Sequence, residues 1–239
     1  MSKFTVMIQA RTSSKRFPRK VLAMIEKKPM IWHVIQRVKQ IPMVEQIVLI
    51  TSDKKEDKIL QKIAKETGIN FFTGSLSDVL GRHYKCAVKF EADPIIRITG
   101  DCPLIDPKIV EEMSRFYMDH DYDYVSNILN RTFPDGLDAE IFSFKVLKLM
   151  FEKAQLKSER EHVTLYIKNN IKKFKIFDFT SKKDLSRFRW TVDEKEDLKF
   201  VRKIYAEMRP RINFSSKDVM KIISKKPHLQ EINKKFIKL

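Results

Sequence analysis

The sequence predicts an α/β protein with a mainly parallel β-sheet and helices on both faces. Short apolar, β-rich runs alternate with longer segments whose apolar residues recur at helical spacing, and polar or glycine-containing loops separate them. Strands joined by helices pair in parallel through right-handed crossovers, which places helices on both faces of the sheet. With 239 residues and 43% hydrophobic composition, the chain is long enough for one large domain.

The first half of the chain alternates regularly. Residues 4–10 form an apolar run that predicts a buried strand, and residues 11–20 form the polar loop that follows it. We predict that Gly68 is the left-handed stop of one helix and that Ser77 caps the next. The further predicted strands are 46–51, 70–73 and 94–99, and the predicted helices are 30–41, 56–67, 77–90 and 107–120.

The second half is less regular and contains no linker and no internal repeat, so we predict a single domain over residues 1–239. A small lid or dimerisation element is expected within about 125–190, and a C-terminal helical extension at 210–239. The predicted strands are 124–127, 138–144, 175–180 and 187–192, of which the last two could pair antiparallel. The predicted helices are 145–154, 160–169, 194–208, 215–224 and 230–237.

The formal net charge is +17, from 48 Lys and Arg against 31 Asp and Glu. Lysine and arginine neutralise nucleic-acid phosphates, so this excess raises the hypothesis of a basic nucleic-acid-binding protein. The lysines are scattered in pairs among helical polar positions, however, and no RNA-reading motif, zinc finger or heptad-backed basic region is present. We therefore expect a solvated basic surface and no nucleic-acid partner.

Neither secretion nor membrane insertion is predicted. The first fifteen residues lack the long apolar region of a signal peptide, and no run of about eighteen apolar residues occurs. Cys86 and Cys102 are too few for a disulfide framework and lack metal-ligand spacing, so we interpret them as reduced structural thiols. The expected location is the cytoplasm.

The residues that follow each predicted strand carry the most functional information, because ligands of parallel α/β sheets bind at the carboxyl ends of the strands. The loop 11–20 holds five cations, two serines and a threonine. Hydroxyl and loop N–H groups bind phosphate oxygens while Lys and Arg offset their charge, so we predict a polyphosphate site. The G-x-x-x-x-G-K-[ST] motif of P-loops is absent. An ordinary exposed basic loop is the alternative.

Two carboxylates lie at further strand ends. Asp101 follows an apolar strand and Gly100, and Asp193 lies between a predicted strand and a predicted helix. A carboxylate at that edge could hold a hard divalent cation such as Mg²⁺. The alternative for Asp101 is a plain turn. The alternative for Asp193 is a helix cap, since Glu196 three residues later resembles a capping box.

Several motifs, in order along the chain, resemble the sugar cytidylyltransferases. The segment ARTSSKRFPRKVLAMIEKKPMIWHVIQRV resembles the opening of that family, which includes 3-deoxy-manno-octulosonate cytidylyltransferase and, more distantly, the CMP-sialic acid synthetases. Five further segments resemble the branch of the family associated with spore coat polysaccharide: GSLSDVLGRHY, RITGDCPLIDP, RTFPDGLDAEIFSF, EREHVT and RWTVDEKEDL. The resemblance covers roughly residues 3–208 and specifies the family much better than the sugar.

The resemblance implies a nucleotide-diphospho-sugar transferase fold, which is Rossmann-like, and commonly a homodimer. It implies a Mg²⁺-dependent reaction in which CTP and a keto-acid sugar or sugar phosphate give an activated sugar and pyrophosphate, for surface polysaccharide or glycoconjugate synthesis. In this chain Asp101 and Asp193 would be the Mg²⁺ ligands, and Arg11 and Lys20 would stabilise the charge on the phosphates. The implied nucleotide contacts are Arg11, Ser13, Ser14, Arg16, Lys20, Ser75, Asp78 and Arg82.

The acceptor site is expected in the second half, where polar residues lie at predicted strand ends and in loops. Such groups suit sugar hydroxyls, and arginine suits a carboxylate or phosphate. Each of these residues could instead be structural, and Asp135-Gly136 also makes an ordinary turn. The candidate acceptor-binding residues are Asn127, Arg131, Asp135, Asp138, Glu140, Arg160 and His162, the last of which could be a base or a plain surface histidine.

Two positions depart from the pattern of the family. Arg19 and Lys27 stand where many relatives have glycine, in the contexts P-G-K and G-K-P. Glycine adopts left-handed backbone angles freely, whereas Arg and Lys adopt them only with strain. Either the loop differs locally, or these positions need no positive φ in this chain.

Three other functions stay open. The first alternative function is a guanylyl- or other nucleotidyltransferase acting on a sugar 1-phosphate, because the phosphate loop binds phosphates and does not select the base. A glycosyltransferase of the same fold would favour a D-x-D metal motif after a strand, and residues 121–123 have these letters but follow a predicted helix. A basic nucleic-acid-binding protein is the alternative from a different class.

Overall fold

The computed structural model describes residues 3–237 and confirms the predicted fold class. A seven-stranded sheet forms the centre of the molecule, and a small two-stranded hairpin accompanies it. The strands, numbered along the chain, are β1 Phe4–Gln9, β2 Met24–Ile25, β3 Lys28–Pro29, β4 Val44–Ser52, β5 Asn70–Gly74, β6 Ile95–Thr99, β7 Tyr124–Ser126, β8 Glu140–Phe142 and β9 Ile176–Asp178.

The helices carry an apolar face toward the sheet and a polar face toward solvent, as the sequence spacing predicts. In the first of them, Ile31, Val34, Ile35 and Val38 recur at helical spacing and are fully buried. None of the described helices combines the length and apolar character needed to span a membrane. The α-helices are α1 Met30–Val38, α2 Lys58–Glu66, α3 Val79–Lys89, α4 Pro107–Asp119, α5 Phe144–Lys153, α6 Lys157–Glu161, α7 Leu165–Asn169, α8 Lys195–Met208 and α9 Ser216–Lys225.

The strand order in the main sheet is β5-β4-β1-β6-β8-β7-β9. β1 pairs in parallel with β4 and β6, and β4 pairs in parallel with β5. β8 is antiparallel to both β6 and β7, while β9 is parallel to β7. β8 is therefore the reversed strand, and the carboxyl ends of all other strands meet at one edge of the sheet.

Alternate residues of β1 enter two separate cores, one on each face of the sheet. Val6 and Ile8 belong to the core that α1, α4, α8 and α9 cover. Met7 belongs to the core on the opposite face, together with Cys86 of α3 and Leu147 of α5. Helices on both faces thus leave the sheet edges as the places where loops gather, and the carboxyl edge holds the candidate site.

Several local predictions were wrong. The N-cap of α3 is Asp78 and not Ser77, because the Asp78 carboxylate accepts the hydrogen bond from the Gly81 N–H at 2.9 Å. The predicted helix 160–169 is broken into α6 and α7. No strand forms over 187–192, where a single bridge joins Asp135 to Arg189. The predicted helix 230–237 consists of 3₁₀ turns at Pro227–Ile232 and Lys234–Phe236.

Candidate active site

One buried lysine joins the two carboxylates that the sequence singled out. Lys20 Nζ lies 2.7 Å from Asp101 Oδ2 and 2.7 Å from Asp193 Oδ1. Lys20 opens a 3₁₀ turn at Lys20–Leu22, and Asp101 lies just beyond the end of β6. Gly100 permits this arrangement, because a Cβ there would lie 2.9 Å from both Ala10 Cβ and Ile31 Cδ1. Loop 11–20 and the end of β6 therefore form one site.

The charges in this triad reinforce one another. Burial alone would lower the pKa of Lys20, but the charges of Asp101 and Asp193 outweigh burial and raise the pKa above its usual value. Burial alone would raise the pKa of Asp193, whereas Lys20 and then Arg16 lower it to a net value below the usual range. Arg16 Nη2 lies 2.9 Å from Asp193 Oδ1. Lys20 is therefore a cation and Asp193 an anion at neutral pH.

The loop 11–20 is anchored by a buried aspartate that sequence reasoning missed. The N–H and the hydroxyl of Thr12 each donate to Asp57 Oδ1 at 2.7 Å, and Ser52 donates to the other oxygen of the same carboxylate. Asp57 ends the 3₁₀ turn before α2 and is 1% exposed. A polar residue at the start of an ordinary helix gave no signal of this role, because its partners lie in other loops. Asp57 fixes where the loop leaves the sheet.

Two arginines, Arg11 in this loop and Arg82 in α3, form no salt bridge with the residues that the structure describes, although Asp53, Asp57 and Asp78 lie near enough to Arg82 to raise its pKa in part. Arg82 is 1% exposed and donates from Nη1 to the Ser75 carbonyl at 2.7 Å. Its Nε and Nη2 find no hydrogen-bond partner among residues 3–237. Burial and the nearby charge of Arg11 lower the pKa of Arg82 to about 10. An unsatisfied buried guanidinium beside a second one is suited to an anion with several oxygens.

Asp193 is not a helix cap, so its carboxylate is available to a ligand. The N-cap residue of α8 is Glu194, one position after Asp193. The Glu194 N–H donates to Asp197 Oδ2 at 2.9 Å, and the Asp193 N–H donates to the same oxygen at 3.0 Å. The predicted partner Glu196 instead pairs with Lys235 at the surface. The capping interpretation of Asp193 was therefore wrong. The Asp197 carboxylate makes the capping hydrogen bond and also orients the backbone of Asp193.

Arg189 holds Asp193 from the side opposite Lys20, and the sequence did not reveal it. Its guanidinium donates to Asp193 Oδ2 at 3.1 Å, to Asp135 Oδ2 at 3.0 Å and to both oxygens of Asp197 at 3.0 Å. Asn233, in the C-terminal segment, donates to Asp197 Oδ1 and to the Arg189 carbonyl, each at 2.9 Å. The C-terminal segment thus supports the site from behind.

The acceptor candidates Arg131, Asp135 and Asp138 do lie together beside this network. Arg131 donates to the two oxygens of Asp138 at 2.6 and 2.9 Å, and its Nη1 lies 3.6 Å from Asp135 Oδ1. Burial and the charge of Asp138 raise the pKa of Asp135 above its usual value, although Arg131 and Arg189 oppose the shift. Gly136 has φ +115°, and a Cβ there would collide with the Trp190–Thr191 peptide. The turn requires its glycine.

Other acceptor candidates have structural partners. Asn127 is buried and bonded to the backbone of Leu137 and Ala139, and Glu140 is buried between Arg97, Tyr124 and Thr164. Both therefore serve the core and do not face a sugar, which corrects the prediction for these two residues. His162 is exposed on the surface, and no side-chain hydrogen bond joins it to the other described residues.

The remaining nucleotide candidates lie in two loops. Ser13 is exposed and Ser14 half-buried in the loop 11–20, where Ser14 Oγ accepts from the Phe17 N–H at 3.4 Å. Ser75 Oγ accepts from the Asp78 N–H at 3.0 Å. The Asp78 carboxylate pairs with Arg160 Nη2 at 2.5 Å. Arg160 therefore belongs with the α3 loop and not with Arg131.

Both positions that depart from the glycine pattern keep a left-handed backbone. Arg19 has φ +59° and Lys27 has φ +65°. Neither alternative was right: the positive φ is retained at both positions in spite of the side chains, and strain accompanies it. The Arg19 N–H still donates to the Thr12 carbonyl at 2.8 Å, so the loop closes on itself.

The donor set at Asp101 and Asp193 fits Mg²⁺. Two carboxylates that already share one cation, Lys20, are directed at a common point, and Mg²⁺ takes one or two carboxylates together with substrate phosphates. Within residues 3–237 no cluster of three or more His, Cys, Asp or Glu forms a metal cage of its own. The alternative D-x-D letters at Asp121 and Asp123 precede β7 and bond to Lys175, at the edge opposite the site.

Comparison with known proteins agrees with this geometry. A family model described as cytidylyltransferase matches residues 5–221. The chain is 30% identical to the spore coat polysaccharide biosynthesis protein SpsF of Bacillus subtilis over 234 residues, which are 95% of this chain and 96% of that protein. It is 32% identical to 3-deoxy-manno-octulosonate cytidylyltransferase of Geobacter metallireducens over 110 residues, 46% of this chain and 42% of that one.

A solved structure supports the same assignment. The cytidylyltransferase from Leptospira borgpetersenii matches with a TM-score of 0.93 at 31% identity, over 96% of this chain and 97% of that one. The similarity confirms both the resemblance and the nucleotide-diphospho-sugar transferase fold. The chain belongs to the cytidylyltransferase family and is a nucleotidyltransferase that uses CTP.

Proposed function

We propose that the protein transfers CMP from CTP to a keto-acid sugar or sugar phosphate, with Mg²⁺ and with release of pyrophosphate, for surface polysaccharide or glycoconjugate synthesis. The observation that carries the proposal is the convergence of Asp101 and Asp193 on Lys20, beside a basic loop at the carboxyl edge of the sheet. The names of two relatives, a spore coat polysaccharide protein and 3-deoxy-manno-octulosonate cytidylyltransferase, support a sugar acceptor.

The cationic side chains receive the triphosphate. Arg82, with two unsatisfied guanidinium nitrogens, and Arg11 beside it supply charge-assisted donors to phosphate oxygens. Hydroxyls of Ser13 and Ser14 and the free N–H groups of the same loop add neutral donors. Lys20 exchanges its carboxylate partners for phosphate oxygens as the nucleotide enters, because both are anions within reach of one flexible ammonium group.

Asp101 and Asp193 would hold Mg²⁺, which when bound supplies charge neutralisation on the phosphates and lowers the pKa of a coordinated hydroxyl. Arg189 and Lys20 orient the Asp193 carboxylate for this task from two sides. Such phosphoryl chemistry depends on positioning and charge neutralisation and needs no covalent enzyme intermediate.

The acceptor oxygen attacks the α-phosphorus in line with the bond to the leaving pyrophosphate. The new O–P bond forms as the bond between the α-phosphorus and the bridging oxygen breaks; a keto-acid sugar attacks through a hydroxyl and releases its proton, whereas a sugar phosphate attacks through an ionised phosphate oxygen. Arg131, Asp135 and Asp138 are the polar groups next to Asp193 on the side away from the loop 11–20, linked to it through Arg189. We assign them to the acceptor, with Arg131 for its carboxylate or phosphate.

The proposed function is tested by a matrix of substrates. The protein is incubated with Mg²⁺, each of CTP, UTP, GTP and ATP, and a panel of 3-deoxy-keto-acid sugars and sugar 1-phosphates, and pyrophosphate is measured. We expect release with CTP and at least one acceptor. The mass spectrum should then show a CMP-sugar if the acceptor is a keto-acid sugar, or a CDP-sugar if it is a sugar 1-phosphate. Release with GTP alone, or with no pair at all, contradicts the proposal. The homodimer and the cytoplasmic location both stay predictions.

A further inference from the structure

A second concave site lies away from the catalytic carboxylates. It is a groove of about 1130 Å³, between the start of α4, the turn before β8, the segment after β9 and one side of α9. None of Lys20, Asp101 and Asp193 lines it. We call it the α9 groove. Part of its lining falls within the segment 125–190 in which we expect a lid or dimerisation element, but none of the acceptor candidates Arg131, Asp135 and Asp138 lines it.

The floor of the α9 groove is apolar. Leu137 is 0% and Trp190 1% exposed, so these side chains lie at the bottom of the concavity. The apolar residues that line the groove include Phe133, Leu137, Phe179, Leu185, Trp190 and Met220. Leu137 and Trp190 have almost no surface left to cover, so the apolar surface that a ligand would remove from water belongs to the half-buried Phe179, Leu185 and Met220, at about 25 cal/mol per Å².

The rim of the α9 groove is mainly cationic. Six exposed lysines line it, and none of them forms a salt bridge with another residue in the range 3–237, although Asp218 lies near enough to Lys221 to interact with its charge. Of the two acidic lining residues, Glu112 is exposed, and Asp106 uses its oxygens on the Lys108 and Ser216 N–H groups, at 3.0 and 2.6 Å. The rim lysines are Lys108, Lys182, Lys183, Lys217, Lys221 and Lys225.

Three of these lysines form a regular row. Lys217, Lys221 and Lys225 are four residues apart on α9, so they lie on one side of the helix at intervals of about 6 Å along its axis. Arg211 and Lys226 nearby do have acidic partners, Asp218 and Glu207. A row of unpaired cations at helical spacing is complementary to carboxylates that are also one helical turn apart.

We propose that the α9 groove binds an acidic amphipathic segment of a partner protein. The segment lies in the groove as a helix, its apolar face on the floor and its Asp or Glu side chains against the lysine row. Recognition of an amphipathic helix in an apolar groove is a recurring mode, and the row of lysines at helical spacing favours it here.

Other occupants fit the groove less well. A membrane surface needs apolar side chains that protrude into the lipid, whereas here they lie at the bottom of a concavity. Single-stranded nucleic acid stacks successive bases on exposed aromatic faces, whereas Trp190 and Phe133 are buried and Phe179 is only half-exposed. A second copy placed with the same face toward this one would bring two cationic rims together, which opposes association.

The test is an unbiased selection. A library of random 16-residue peptides on phage is selected on the full-length protein, with counter-selection on Lys217→Glu/Lys221→Glu/Lys225→Glu. We expect enriched peptides with Asp or Glu at four-residue spacing next to apolar positions. A fluorescein-labelled peptide from the enriched pool should bind the wild type, and its affinity for the triple variant should be lower by about tenfold or more, as measured by fluorescence anisotropy.

The matched control carries the same change in charge elsewhere. Lys58→Glu/Lys62→Glu/Lys65→Glu reverses three exposed lysines on α2, and the selected peptide should bind this variant as it binds the wild type. Thermal unfolding verifies that both variants are folded. The proposal is overturned if no acidic peptides are enriched, if both variants lose binding equally, if labelled oligouridylate or anionic vesicles displace the peptide, or if the α9 variant changes the sedimentation mass.

Discussion

Lys20 Nζ donates a hydrogen bond to Asp193 Oδ1 at 2.7 Å, although 173 residues separate the two in the chain. The same ammonium group holds Asp101 Oδ2 at 2.7 Å. A cation of the protein therefore neutralises the pair of carboxylates that we assign to Mg²⁺. Lysine and metal compete for the same oxygens until phosphate oxygens offer the lysine other partners.

This competition predicts the behaviour of Lys20→Met. Without the ammonium group, the carboxylates repel each other and attract a divalent cation more strongly, so Mn²⁺ should bind the nucleotide-free variant at least about tenfold more tightly than the wild type. Electron paramagnetic resonance of free Mn²⁺ measures the affinity directly, whatever the activity. Lys15→Met, an exposed change in the same loop, is the control and should leave the affinity unaltered. Equal affinities for wild type and Lys20→Met would refute the competition.

The anchor of the loop 11–20 should show a defined pH dependence. Burial alone would raise the pKa of Asp57, but hydrogen bonds from Ser52 and Thr12 outweigh burial and lower it. The folded-state pKa thus lies below the unfolded one, so the contribution to stability is present above about pH 4 and is lost as the pH falls further. Asp57→Asn should reduce the free energy of unfolding by about 1–3 kcal/mol at pH 7.

Urea unfolding at pH 7 and near pH 3 measures this difference. The loss caused by Asp57→Asn should shrink at the lower pH, where the wild-type carboxylate begins to take up its proton. Asp53→Asn is the matched control, since Asp53 is exposed one turn away. A loss that is independent of pH would contradict the ionised anchor.

Arg189 should act on turnover through Asp193. Arg189→Lys keeps the charge but loses the planar fork that reaches Asp135, Asp193 and Asp197 together. We expect kcat to fall by about tenfold or more while the KM for CTP changes little, because the loop that binds the phosphates is untouched. Arg187→Lys, an exposed change two residues away, should retain wild-type kcat. An increase in KM alone would contradict a positioning role.

The left-handed backbone at Lys27 predicts a stabilising substitution. The left-handed conformation costs a non-glycine residue about 1–2 kcal/mol, and glycine removes this cost. Glycine also makes the unfolded chain more flexible, which offsets part of the gain. Lys27→Gly should therefore raise the free energy of unfolding by about 0.5 kcal/mol. Lys28→Gly in the neighbouring strand β3 should lower it by about 0.5–1 kcal/mol. Chemical denaturation compares the two. A decrease with both variants would show that Lys27 is not strained.

The sequence predicted what depends on local pattern. Alternating apolar runs predicted the strands that carry Asp101 and the loop 11–20 at their ends, and the carboxyl-end rule predicted that these residues meet at one edge of the sheet. The parts that failed depend on distant partners. Asp57 and Arg189 look like ordinary helix and loop residues, and only the fold brings Thr12, Asp135 and Asp197 to them.

The cap of α8 illustrates the limit of local rules. Asp193 with Glu196 and Glu194 with Asp197 both have the spacing of a capping box, and the sequence offers no way to choose between them. Lys20 and Arg189 decide, since they draw the Asp193 carboxylate away from the helix and leave capping to Asp197. Asn127 and Glu140 likewise have a core role because of the strands that surround them.

The central claim is that Asp101 and Asp193 form the metal-dependent centre of CMP transfer. The most direct test is the rate of pyrophosphate release from CTP, at saturating Mg²⁺ and the accepted sugar, for Asp101→Asn and Asp193→Asn. We predict a fall of about a hundredfold or more in each folded variant, with Glu196→Gln at the wild-type rate as control. Near-normal release by either aspartate variant would contradict the claim.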